Sequence, residues 1–153
     1  MDCTDCTNRR SFITRLALAA TALVLPIDAI AAAAHSNHGH HYPVPGADGA
    51  FIDRDSQVIL VRWQNTIYAF ALSCPHQRTA LRWRDEDHRF QCPKHKSKYQ
   101  PDGTFIEGRA TRGMDRFHVA LEGNEVVVDT SVLYKQDVDL AGWQHAFVTV
   151  SQK

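Results

Sequence analysis

From Ala50 onward the chain consists of short β-branched or aromatic runs separated by turn residues. Runs of about four to eight such residues bounded by turn signals mark strands. Residues 57–63 make one such run, Gln64 and Asn65 turn the chain, and residues 66–72 return as a hairpin partner. Residues 81–84 and 88–91, parted by Asp85, Glu86 and Asp87, repeat the arrangement on a smaller scale. Pro101, Asp102 and Gly103 suit a turn, because proline holds φ negative and glycine tolerates positive φ; residues 104–106 follow it. Residues 117–121 and 125–128 flank Glu122, Gly123 and Asn124 and predict another hairpin. Nothing between Ala50 and Thr130 has the pattern of a long amphipathic helix. The expectation is an all-β fold, a small antiparallel sandwich or barrel over residues 50–153. Residues 131–153 carry a weaker pattern, in which 146–150 suit an edge strand.

The apolar residues near the N-terminus are of another kind. Arg9 and Arg10 precede Ser11, Phe12 and Ile13, an apolar run covers 16–27, and small residues at 29–34 end in Ala32, Ala33 and Ala34. A basic start, an apolar run of about a dozen residues and an A-x-A site are the layout of a cleaved export signal. The paired arginines make residues 1–34 look like a twin-arginine (Tat) signal, a route that carries chains already folded around their cofactors. An uncleaved segment would instead tie the chain to a membrane. Arg15, Pro26 and Asp28 hold the run below the roughly 20 apolar residues that a spanning helix wants. Either way the domain is expected in the periplasm or on the outer face of the cytoplasmic membrane. Cys3 and Cys6 form a C-x-x-C followed by Thr7, not His, which excludes a c-type haem site. His35, His38, His40 and His41 come next, four of nine histidines within seven residues. Such a tract can bind metal, and it also reads as a flexible linker over residues 35–49, with 42–46 as an extended connector.

Charge narrows the partners. Seventeen basic and seventeen acidic side chains in 153 residues leave no overall field to favour nucleic acid. The balance fails locally: between Cys74 and Gln100 lie Arg78, Arg82, Arg84, Arg89, Lys94, Lys96 and Lys98, against only Asp85, Glu86 and Asp87. This positive collar suits either a solvated face or the steering of an acidic partner. Four cysteines are too few for a disulfide framework, and the two in mid-chain, Cys74 and Cys92, each precede a proline.

Those two cysteines carry the chemistry. Cys74-Pro75-His76 and Cys92-Pro93-Lys94-His95 each offer one thiol and one imidazole, and the small hairpin lies between them. The pattern C-x-H…C-x-x-H on hairpin tips resembles the Rieske cluster-binding motif, and the likeness extends over residues 58–130. The resemblance implies a β-fold of Rieske type with a cluster-binding subdomain made of two loops. It implies one [2Fe–2S] cluster, with Cys74 and Cys92 on the inner iron and His76 and His95 on the outer. Family members that oxidise quinol place a serine two residues after the second histidine and a tyrosine four after it. Ser97 and Tyr99 hold those offsets, and the resemblance gives them hydrogen bonds to sulfur that raise the reduction potential. Rieske centres lie between roughly −150 and +300 mV.

Two departures bear on that potential. The inter-loop disulfide of high-potential members would need cysteines where Thr79 and Lys94 stand, and Lys96 replaces the usual glycine after the second histidine. The expectation is an intermediate-to-raised potential, with loops tied by packing and hydrogen bonds. Arg109, Ala110, Thr111 and Arg112 occupy the place of a loop that packs under the cluster in the family. His88, His118 and His145 read as ordinary histidines. No catalytic site of its own is visible, so the resemblance implies single-electron transfer to a redox protein such as a cytochrome, to a larger catalytic subunit, or from quinol. Two other readings compete: a structural Cys₂His₂ zinc module, and a periplasmic metal-binding protein using the His35 to His41 tract. Zinc sites tend to pair like ligands on one knuckle, whereas each loop here mixes them.

Overall fold

The computed structural model describes residues 39–151. The expected export segment, Cys3, Cys6, His35 and His38 lie outside the described residues. The hairpin expected at 57–72 is β3 (Val58–Trp63) and β4 (Thr66–Ala71), turned by Gln64 and Asn65 at positive φ. The second large hairpin is β9 (Arg116–Glu122) and β10 (Glu125–Tyr134). With β1 (Gly39–Pro43) and β2 (Gly49–Asp53) these strands form one antiparallel sheet in the order β1-β10-β9-β4-β3-β2, and β11 (Val148–Thr149) adds to β4.

Period two sorts the side chains of this sheet. Val58, Leu60, Ile67 and Ala69 join Tyr42, Phe117, Val119, Val126 and Val128 in one core. Their neighbours Ile59, Val61 and Phe70, with Leu72 just beyond β4, face the other way and meet Leu81, Phe90, Tyr99 and Met114 in a second. The first core can close only if the sheet curls. Tyr42 of β1 and Asp53 of β2, on strands at opposite ends of the strand order, are joined by a 2.9 Å hydrogen bond from the phenol. The sheet thus curls into an antiparallel half-barrel, its two edge strands linked by this side-chain bond rather than by a strand ladder.

The second core lies between the half-barrel and a smaller antiparallel sheet, β5 (Arg82–Arg84), β6 (Arg89–Gln91), β7 (Lys98–Tyr99) and β8 (Phe105–Glu107), in that order. Trp83 and Phe90 pair across β5 and β6 with their rings tilted by 60° and face that core. The small sheet positions the loops that carry the cysteine–histidine pairs.

Three features differ from the expectations. Residues 39–43, read as part of a linker, are a strand paired with β10, so His40 and His41 are sheet residues. The local sequence hides this because Tyr42 is the only buried residue of β1, and its partner strand lies far along the chain. β10 runs to Tyr134 past an irregularity between Asp129 and Leu133. Finally, the tail contains a short helix, α1 (Leu140–His145), capped by Asp139, whose side chain accepts from the Gly142 amide.

Candidate metal centre

The two loops share one backbone design. In the first, the Cys74 amide donates to Thr79 O (2.8 Å) and the Arg78 amide to Cys74 O (2.9 Å). In the second, the Cys92 amide donates to Ser97 O (2.8 Å) and the Lys96 amide to Cys92 O (3.0 Å). Arg78 and Lys96, at matching positions, are both left-handed, with φ of 51° and 60°. Side chains with a Cβ resist that conformation by about 1–2 kcal/mol, and the paired hydrogen bonds hold them in it. The position after His95, where the family favours glycine, therefore keeps the conformation that glycine would take.

Mixed on each loop in sequence, the four ligand candidates are sorted by the fold. Cys74 and Cys92 are free thiols, each 1% exposed, at the end of the second core, and the Cys74 side chain is a hydrogen-bonding neighbour of Cys92. His76 and His95 stand together as a half-buried pair, ring centroids 4.9 Å apart and nearly perpendicular. Their Nδ1 atoms are buried and have no hydrogen-bond partner. Among the described residues no three His, Cys, Asp or Glu side chains gather on one point as a single ion requires; these donors form two pairs. Buried polar atoms are nearly always satisfied, so two orphaned imidazole nitrogens beside a buried thiol pair fit a group with two metal ends.

The electrostatics favour the metal-binding forms of Cys92 and His95. Burial pushes the Cys92 thiol up, but the amides of His95 and Lys94 and the side chains of Cys74 and Thr79 more than offset it. The thiol lies below its ordinary value. Burial, helped by His76, Arg109 and Lys94, holds His95 below the usual imidazole range. Thiolate and neutral imidazole are the forms that bind metal.

Ser97 and Tyr99 are fully buried. The Tyr99 hydroxyl lies 3.3 Å from Cys74 Sγ. Burial, then Cys74, raises this phenol far above its ordinary value, so it remains a donor. Ser97 Oγ accepts from the Arg109 and Ala110 amides at 3.0 and 3.1 Å, which leaves its own proton to give. The segment at 109–112 therefore supports the second loop. Gly108 permits that approach: its φ is +118°, and a Cβ there would sit 2.4 Å from Ser97 Cα. The sequence alone assigns Thr79 and Gly108 no place in the site, whereas the resemblance already sets Arg109 and Ala110 in a segment that packs under the cluster. The signal for Thr79 was present: it follows Cys74 at the offset at which Ser97 follows Cys92. Elsewhere, His88 packs on Trp63 and His145 bonds Ala141 O, away from the site.

Thiol and imidazole pairs on two loops at a small sheet packed on a curled antiparallel sheet define a small iron–sulfur protein. The family model for the Rieske [2Fe-2S] domain matches residues 39–136. The chain belongs to that family. Membership brings one Rieske-type [2Fe–2S] cluster and single-electron transfer through it, and decides against the zinc module. The chain is 31% identical over 72 residues to the cytochrome b6-f complex iron-sulfur subunit 3 of Nostoc sp. (strain PCC 7120), a match covering 46% of this chain and 40% of that protein. It is 34% identical over 56 residues to subunit 1 of the same complex in Synechocystis sp. (strain PCC 6803), covering 37% and 32%. The chain thus spans well under half the length of these curated relatives. The crystal structure of the plasma membrane Rieske protein PetC3 from Synechocystis PCC 6803 aligns with a TM-score of 0.45 at 22% identity, covering 52% of this chain and 82% of that one.

Proposed function

We propose that this protein carries single electrons on the outer side of a cytoplasmic membrane, alone or as a small subunit of an oxidoreductase. In this reading Cys74 and Cys92 hold the inner iron of the cluster, and His76 and His95 hold the outer iron through their buried Nδ1 atoms. The orphaned Nδ1 pair beside two buried thiols carries the assignment. When bound, the cluster takes up and releases one electron. The chain's own residues do the rest. Tyr99 gives its hydroxyl proton to Cys74 Sγ, Ser97 offers a second donor, and both favour the more negative, reduced state. The half-buried histidine rings form the edge at which a partner approaches.

Residues 1–34 act as a twin-arginine signal, which suits a chain that must fold around its cofactor before crossing a membrane. The electron partner is a redox protein such as a cytochrome, a larger catalytic subunit, or quinol. The deciding experiment is an EPR spectrum of anaerobically purified, dithionite-reduced protein with iron and zinc assayed alongside. A rhombic signal with a low average g and two irons per chain is expected, and Cys74→Ser or His95→Ala should abolish it. An EPR-silent protein with one zinc, purified from cells able to build clusters, would overturn the reading.

A further inference from the structure

The positive collar is not uniform once its side chains are placed. Arg89 pairs with Asp87 at 2.8 Å and Lys98 with Glu107 at 2.5 Å, so both serve the fold. Arg82, Arg84 and Lys96 have no acidic partner among the described residues, and all three are exposed. They nevertheless converge, lining one open cleft of about 230 Å³ with Gln91 and Pro93. Strand geometry explains the first two. Arg82 and Arg84 flank the inward-facing Trp83 on β5 and so share the outer face of the small sheet. Lys96 comes from the second loop, one residue past His95, and Pro93 lies between Cys92 and His95.

The nearest acids in sequence do little to cancel this charge. Asp87 is engaged by Arg89, and Asp85 accepts from the Trp83 indole at 2.8 Å. Glu86 lines a separate hollow with Trp83, Arg84 and Asp85. Three cations around one cleft repel each other, and their side chains make no hydrogen bond or ion pair among the described residues that would stabilise the fold. Their common complement is a carboxylate supplied from outside. The cleft holds a side chain rather than a large substrate, is open to solvent, and borders the loop that presents His95.

We infer that this cleft is the docking subsite for an acidic redox protein, whose aspartate or glutamate side chains seat between Arg82, Arg84 and Lys96 and bring its surface onto the histidine edge. This deepens the electron-transfer reading and rests on it.

The test is stopped-flow oxidation of the reduced holoprotein by two c-type cytochromes, one of net negative and one of net positive charge, across a salt series. With the acidic cytochrome the wild-type rate should fall about tenfold between roughly 10 and 300 mM salt. Arg82→Gln/Arg84→Gln should lose most of that dependence and react about tenfold more slowly at low salt. Arg82→Glu/Arg84→Glu should favour the basic cytochrome. Both variants lie on β5, outside the ligand loops, and their EPR signals report that the centre is intact. Wild-type rates in both variants would overturn the inference. So would stronger inhibition by inorganic phosphate than by chloride at equal ionic strength, which would make the cleft a small-anion site. Loss of sedimentation with phosphatidylglycerol vesicles in the variants, at unchanged cytochrome rates, would assign it to lipid and equally overturn it. Absence of the EPR signal from the wild type would instead refute the electron-transfer reading beneath it.

Discussion

Tyr99 and Ser97 are both buried hydroxyls, yet they are not equivalent. Tyr99 touches Cys74 and the Ser97 side chain. A hydrogen bond worth about 0.5–1.5 kcal/mol corresponds to roughly 20–65 mV for one electron. Tyr99→Phe is therefore predicted to lower the midpoint potential by tens of millivolts and to leave the centre bound, as protein-film voltammetry can read. Ser97 also satisfies two amides. Ser97→Ala should lower the potential and, in addition, destabilise the fold by about 1–3 kcal/mol, because those amides lose their acceptor. Unchanged potentials in both variants would mean that neither hydroxyl acts on sulfur. Both residues were legible in the sequence from their offsets to His95. Gly108 was not: its necessity arises from how closely its backbone passes Ser97, a contact that no local pattern records.

At the level of elements, β3, β4, β9 and β10 are the strands the sequence announces, because each is a β-branched or aromatic run bounded by turns that sends every second side chain into one core. β1 and α1 were illegible for a common reason. Each buries one large side chain, Tyr42 or Trp143, and relies on a partner distant in sequence. The β1 to β2 closure is also an acid-sensitive joint. Amide and side-chain hydrogen bonds from Ser56, followed by the bond from Tyr42, lower Asp53 from an ordinary carboxylate to about 2. A folded-state value below the unfolded one adds stability that is complete above about pH 4 and is lost as pH falls toward about 2. Burial and Asp53 in turn push Tyr42 up to about 12. Urea unfolding at pH 5, 3 and 2 should show a steeper acid loss for the wild type than for Asp53→Asn. Equal slopes would remove Asp53 from the account.

At the scale of the whole described domain, Arg116 joins the parts. It is 3% exposed, donates to Trp143 O at 2.7 Å and Asp102 O at 2.6 Å, and lies 3.7 Å from the Trp143 ring centroid. Trp143 in turn donates to Met114 O at 2.7 Å, on the stretch that continues from the Ser97-supporting amides. Gln136 accepts from the Gly113 amide at 2.6 Å, and Arg112 pairs with Asp115 and Asp137. The tail is thus a brace behind the second ligand loop. Trp143→Ala is predicted to cost about 3–5 kcal/mol in denaturant unfolding; a loss below about 0.5 kcal/mol, the scale of a surface change, would contradict the brace. The sheet architecture was readable from turn-bounded β-branched and aromatic runs, whereas this brace depends on one buried cation that its own strand pattern disguises. The two thiols impose an order of events on the molecule as well. They are the only cysteines among the described residues and lie side by side, so each is the other's nearest oxidation partner. A chain that met an oxidant before receiving its iron would join Cys74 to Cys92 and lose its donors. On the proposed export route, maturation would have to finish in the reducing compartment, and the cell's timing of iron delivery becomes part of what makes the fold work.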